Sequence, residues 1–171
     1  MAKVKRFEAF FSKVLERALF EVRESGIDVY TLALYHDHES AAVSVCADTR
    51  VNSSRNLERE QLYQARYFQH FVQEADLASA KLWQTTGDRS YSLGDFEVVN
   101  AARTNLRCVS VDQDFYLAMI RTLIAKQGEV LALTTAPQDV RFCCSSADSE
   151  VGFVWPRLDL LPEGPPWKSP V

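Results

Sequence analysis

The sequence predicts an α+β fold: an antiparallel sheet built from two hairpins and packed against three to four helices. Three observations predict it. Between Val29 and Ala47 two apolar runs flank the polar pentapeptide His36-Asp37-His38-Glu39-Ser40, the pattern of a strand, a hairpin loop and a second strand. Three longer segments repeat apolar residues every three or four positions, as amphipathic helices do. Finally, residues 130–135 and 140–145 form another pair of short apolar runs, separated by the turn sequence Ala136-Pro137-Gln138-Asp139.

In chain order, the first helix is expected over residues 3–24. Val4, Phe7, Phe11, Val14, Leu15, Ala18 and Val22 share one face, and Ser25-Gly26 ends it with a glycine suited to the left-handed C′ position. In the first hairpin, alternation places Tyr30, Leu32 and Leu34 on one face of the first strand and Val43, Val45 and Ala47 on one face of the second. The polar run 48–56 reads as a loop. A second helix over 57–75 carries one stripe from Leu62, Ala65, Phe68, Val72 and Ala75 and an aromatic ridge from Tyr63, Tyr67 and Phe71; the ridge reads as core packing, with a binding surface as the alternative. Residues 81–95 show no sustained period and read as a loop anchored by Trp83 and Tyr91. Asp95 then caps a helix over 96–107, with Phe96, Val99, Ala102 and Leu106 inward. Ser110-Val111-Asp112-Gln113 matches a capping box opening a helix over 111–127, which Gly128 stops. Residues 1–152 form one domain. Five of the six prolines lie at 156 or later, so 153–171 reads as a proline-rich tail, either packed extended through Phe153, Trp155 and Leu158 or loose.

The chain has 171 residues, 47% of them hydrophobic and 25% charged, with a formal charge of −4. That length and balance suit a single globular domain. The charge and the lack of clustered Lys and Arg argue against nucleic acid as the ligand and favour a basic partner. The early run Lys3, Lys5, Arg6 is followed by Glu8, Lys13 and Glu16 rather than an apolar core, so no signal peptide is expected, nor any membrane span. The four cysteines, Cys46, Cys108, Cys143 and Cys144, show no CxxC spacing. They read as structural thiols in a reducing, cytoplasmic compartment.

Candidate chemistry is sparse. His36 and His38, with Glu39, could supply two or three metal ligands at a hairpin tip, but zinc takes three or four and the remaining histidine, His70, lies on a helix. No GxSxG elbow flanks a serine, and Cys143-Cys144 has no distinctive surroundings. Thr85-Thr86-Gly87-Asp88 lacks the phosphate-loop pattern. The carboxylate pairs Asp112/Asp114 and Asp148/Glu150 are explained by helix-start electrostatics and loop solvation. No cofactor or metal site is therefore assigned, and no catalytic residue. The candidate partner-binding surface consists of acidic loops: Asp37, His38 and Glu39 at the first hairpin tip, Asp88 and Asp95 in the central loop.

The order of features resembles a small bacterial family catalogued as domain of unknown function 4303. The resemblance rests on the amphipathic first helix, the strand VYTLALYHD, a second strand ending in Ala47-Asp48-Thr49, the aromatic middle helix, the Trp83 region and the segment Phe96 to Asn100, and it covers residues 5–150. Where that family has Asn-Thr-Glu-Glu after the second strand, this chain has Asp48-Thr49-Arg50-Val51, without the acidic pair. The resemblance implies a cytosolic binding protein, with the role of an immunity protein neutralising a cognate toxin as its specific version. The alternatives are a small enzyme or metal-binding protein using the His36/His38 tip, and a structural or oligomerisation module using the aromatic ridge and the tail.

Overall fold

The computed structural model describes residues 2–83, 87–107, 110–146 and 151–156. Cys108, Thr85, Thr86, the Asp148/Glu150 pair, Leu158 and the rest of the tail lie outside the described residues. The elements are α1 (Ala2–Ser25), β1 (Val29–Asp37), β2 (Ala42–Thr49), α2 (Arg50–Gln73), α3 (Leu77–Leu82), β3 (Val98–Asn105), α4 (Gln113–Ala125), α5 (Gln127–Leu131), β4 (Arg141–Ser145) and β5 (Phe153–Pro156). The five strands make one mixed sheet in the order β3-β2-β1-β4-β5. No helix among the described residues is long and apolar enough to cross a membrane.

The first hairpin forms as the alternation requires, with Leu32 opposite Ala47, Ala33 opposite Cys46 and Asp37 opposite Ala42. One detail differs. The register shifts between Val29 and Thr31, so Tyr30 is the extra residue of a bulge. Val29, Leu32 and Leu34 enter the main core, while two guanidinium groups lie over the Tyr30 ring, Arg89 at 3.6 Å and Arg50 at 4.5 Å.

The second expected hairpin is not there. Residues 130–135 are not a strand: the chain runs through α5 and a turn, with Val130 buried as a helical residue. A short apolar run fits a buried helix as well as a strand, and periodicity does not separate the two. β4 instead pairs parallel with β1, Ala33 beside Cys143, and its antiparallel partner is β5, Phe142 opposite Trp155. The sheet is therefore mixed rather than purely antiparallel. The beginning of the expected tail is extended and packed on the body, as its fifth strand.

The helix expected over 96–107 is also a strand, β3, paired antiparallel with β2. Asn100 and Ala102 have φ of 61° and 50°, and the register breaks twice, between Val43 and Val45 and between Val45 and Ala47. These irregularities put the adjacent Ala101 and Ala102 together in the core and destroy the two-residue alternation. They also free backbone groups: the Ala102 N–H donates to Glu21 Oε2 of α1 at 2.9 Å. Two helix starts move as well. Thr49 caps α2, its Oγ1 accepting from Asn52 N at 3.1 Å, so the polar run after β2 is helical from Arg50. α4 is capped by Asp112, which accepts from Phe115 N at 3.1 Å, not by Ser110.

α1 and α4 cover one face of the sheet. Phe115 sits at the centre of that layer, with its ring edge-on to Phe7 at 5.4 Å and Phe11 at 5.2 Å. Leu32, Leu34, Val43, Val45 and Phe142 meet these rings from the sheet. The opposite face carries Ala33, Cys46 and Cys143, covered by Leu93 and Phe96 of the segment 87–97. Each fully buried side chain of this size contributes about 1.5–3 kcal/mol, so most of the stability resides on the α1–α4 side. Phe11→Ala is expected to lower the unfolding free energy by about 3–5 kcal/mol. Phe20→Ala, on the same helix but 63% exposed, is expected to change it by less than about 0.5 kcal/mol. Paired urea titrations measure both.

Candidate functional site

The hairpin tip does not assemble a metal site. β1 ends at Asp37, so the rule that puts residues i and i+2 on one face stops applying between His36 and His38. His36 is 4% exposed, its ring edge-on to Phe115 at 5.1 Å, and its Nδ1 has no hydrogen-bond partner among the described residues. Burial pushes its pKa down. His38 lies on the surface with Nδ1 3.1 Å from the Ser146 carbonyl oxygen. His36 is thus core and His38 surface, and among the described residues no group of three or more His, Cys, Asp or Glu side chains is arranged to hold a metal.

The acidic residues expected to meet a partner are divided between structural and exposed roles. Asp37 accepts hydrogen bonds from Glu39 N at 3.1 Å, from Ser40 N at 3.2 Å and from Ser40 Oγ, and it pairs with Arg103 at 2.8 Å. The Ser40 and Arg103 donors hold its carboxyl well below the usual carboxylate range. Asp95 pairs with Arg59 at 3.1 Å, and its backbone oxygen accepts from Asn52 Nδ2 and Asn56 Nδ2, both at 2.8 Å. Glu39 and Asp88 stay exposed, Asp88 with Oδ1 3.8 Å from Arg89 Nε. A cleft of about 180 Å³, lined among others by Asp37, Cys46, Gly94, Asn100 and Arg103, brings the hairpin tip beside the turn that holds Asp95. Asp88 sits near the start of β1, at the strand's other end.

A polar network that the sequence does not signal locks segment 87–97 onto the sheet. Arg89, 4% exposed, donates from Nη1 to the Tyr30 carbonyl at 2.9 Å and to Thr31 Oγ1 at 3.2 Å, and from Nη2 to the Asp139 carbonyl at 2.9 Å. Thr31 and Asp48 are cross-strand neighbours. Asp48 is fully buried and accepts from Asn52 Nδ2 at 2.7 Å and Glu97 N at 3.2 Å; burial raises its pKa. Ser53 Oγ accepts from Ser90 N at 3.1 Å, while Ser90 Oγ donates to Glu60 at 2.5 Å. Most of these contacts go to backbone groups, which carry no residue identity, so no spacing in the sequence announces them.

The thiols sit in surroundings that suppress nucleophilicity. Cys46, Cys143 and Cys144 are free and buried; desolvation raises all three, with Cys144 pushed up to about 12.

The unusual surface is elsewhere. Of the 24 residues of α2, only Ser53 and Asn56 are buried. Beyond its first two turns the helix stands clear of the core, and α3 packs along it. Leu62 (68% exposed), Phe68 and Val72 face solvent, as do Leu77 and Leu82 of α3. Apart from half-buried Phe71, the ridge read as core packing is therefore a surface, and so is the stripe beside it. On the ridge, Tyr67 stacks on Trp83 at 4.5 Å and 19°, Tyr63 contacts both rings, and a cavity of about 250 Å³ is lined by Tyr63, Arg66, Tyr67 and His70. The sheet face that α2 would need for burial is already occupied by Leu93 and Phe96. Comparison of the chain with protein-family models, curated proteins and solved structures finds no match.

Two tests follow from the buried groups. His36 has a depressed pKa in the folded state, so below its unfolded value near 6.5 the unfolded chain takes up a proton that the folded chain refuses. Stability is then fully present above that pH and declines as pH falls, by no more than about 1.4 kcal/mol per pH unit for one proton. Urea unfolding between pH 7.5 and 5.0 is expected to show this decline, reduced in His36→Phe. Arg89→Met leaves buried carbonyls without donors and is expected to cost about 3 kcal/mol, and Arg89→Lys, lacking the forked guanidinium, recovers less than half. Asp88→Asn is expected to change stability by less than about 0.5 kcal/mol in the same titrations.

Proposed function

We propose that this chain is a non-enzymatic binding protein whose partner protein seats on the arm formed by α2 and α3. One observation carries the reading: a 24-residue helix whose only buried side chains are a serine and an asparagine, while Leu62, Tyr63, Tyr67, Phe68 and Val72 face solvent. Soluble proteins rarely leave contiguous apolar surface of this kind without an occupant. Tyrosine and tryptophan held by mutual stacking are suited to the centre of an interface, because little side-chain freedom is lost on contact. The reactive groups point the same way, since the thiols and His36 serve as core and Asp48 and Arg89 lock the loop.

The rim of the aromatic cavity is basic. Arg66 and His70 line it, and α2 carries four arginines against two glutamates in a chain whose formal charge is −4. The partner that fits the arm brings an apolar contact bordered by carboxylates, rather than the basic surface that the overall charge favours. Glu39 and Asp88 remain available to influence encounter rates. The specific version, an immunity protein that neutralises a cognate toxin by covering it, is an analogy drawn from the order of features that resembles domain of unknown function 4303, a family no model of which matches the chain.

Isothermal titration against the product of a toxin reading frame adjacent to this gene is expected to give a one-to-one complex that co-elutes. Tyr67→Ala and Trp83→Ala are each expected to weaken it by about 10- to 100-fold. Absence of heat and of co-elution disposes of the toxin version. An unchanged affinity in both alanine variants disposes of the arm as its surface.

A further inference from the structure

Beside the aromatic cavity, and sharing Arg66 with its rim, α2 carries a second pattern. Glu58, Leu62 and Arg66 are spaced at i, i+4 and i+8, so they form one ridge along the helix, and all three are exposed. Glu58 and Leu62 line a shallow groove with Gln61 and Ala65, whose small side chain permits close approach. Neither Glu58 nor Arg66 has an ion-pair partner among the described residues. The ridge thus reads negative, apolar, positive.

That order is complementary to itself under a two-fold axis. When two such ridges lie side by side and antiparallel with Leu62 at the axis, Glu58 of each copy meets Arg66 of the other and the two Leu62 side chains pack together. A parallel arrangement places Glu58 beside Glu58 and Arg66 beside Arg66, which repels. A heterologous partner has no reason to match this sign pattern about its own centre. The helix is about 36 Å long, and its buried positions, Ser53 and Asn56, fall in the first two turns, so Leu62 lies beyond the part held by the body.

We infer that the chain forms a symmetric homodimer in which two α2 helices cross antiparallel at Leu62, closed by reciprocal Glu58–Arg66 ion pairs. Tyr67 and Trp83 are left outside the crossing, and Arg66 lies on the border between this ridge and the aromatic cavity.

Sedimentation velocity on the full chain tests this. The wild type is expected to shift from monomer to dimer as its concentration rises to the order of 100 µM. Leu62→Glu is expected to be monomeric throughout. Glu58→Arg and Arg66→Glu are each expected to weaken association at least about tenfold, because each places like charges together across the axis. The double variant Glu58→Arg with Arg66→Glu reverses the row to positive, apolar, negative and is expected to restore association to within about threefold of wild type. Rescue by the double swap requires the antiparallel geometry, and a merely structural role for either residue does not produce it. Circular dichroism melts monitor folding of each variant, all three positions being exposed. A wild type that stays monomeric, a dimeric Leu62→Glu, or a double swap no better than the single variants overturns the proposal. Tyr67→Ala is expected to remain dimeric, and loss of its dimer overturns the assignment of the interface to this face.

Discussion

The constraint on which the rest of the structure depends is that β1 is buried on both faces. From Val29 to Leu34 each residue of the strand is buried, and β2 is buried from Ala42 to Asp48. A central pair of this kind needs two covers. α1 and α4 supply one, built from long apolar side chains around Phe115 that fill the space above the sheet. The other cover is a segment without regular secondary structure over most of its length, and such a segment brings unpaired backbone groups into the interior. Arg89, Asn52 and Asn56 satisfy carbonyl oxygens there, and Asp48 satisfies a backbone N–H. The polar network is thus a consequence of using irregular chain as a lid on a small-residue sheet face.

That choice determines the surface. Because Leu93 and Phe96 occupy the second face, α2 meets the sheet only through its first turn, where Asn52 donates to Asp48 and Arg50 lies over Tyr30; Ser53 and Asn56 hydrogen-bond to the lid, and the later turns project with α3. The residues with chemical reactivity are consumed by the same arrangement: two cysteines, Cys46 and Cys143, lie beneath the lid, and His36 lies under α4 against Phe115. Among the described residues, most of the exposed large apolar side chains are gathered on α2 and α3. Two different patterns share α2, an aromatic cavity with a basic rim and a charge-alternating ridge.

Particular residues explain which parts of this were legible in the sequence. α1 was readable because its apolar residues repeat over seven positions on one face and Gly26, with φ of 68°, ends it where a left-handed residue is required. The first hairpin was readable because His36 to Ser40 interrupts two apolar runs. β3 was misread as a helix because left-handed Asn100 and Ala102 replace two-residue alternation with spacings near three and four. The run at 130–135 was misread as a strand because six apolar or β-branched residues fit either state. The aromatic stripe on α2 was readable as amphipathic, yet amphipathicity does not say what covers the apolar side.

The sequence by itself determined the local content: the α+β class, most of the amphipathic helices and the β1–β2 hairpin. Those follow from short-range periodicity and composition, which act within a few turns or one strand pair. Only the tertiary structure decided that β4 runs parallel to β1, that Arg89 is the buried clamp of the lid, and that α2 points its leucine and aromatic side chains outward. Each of these depends on competition for a sheet face between segments distant in the chain, and free energies of that kind leave no periodic mark on any one of them.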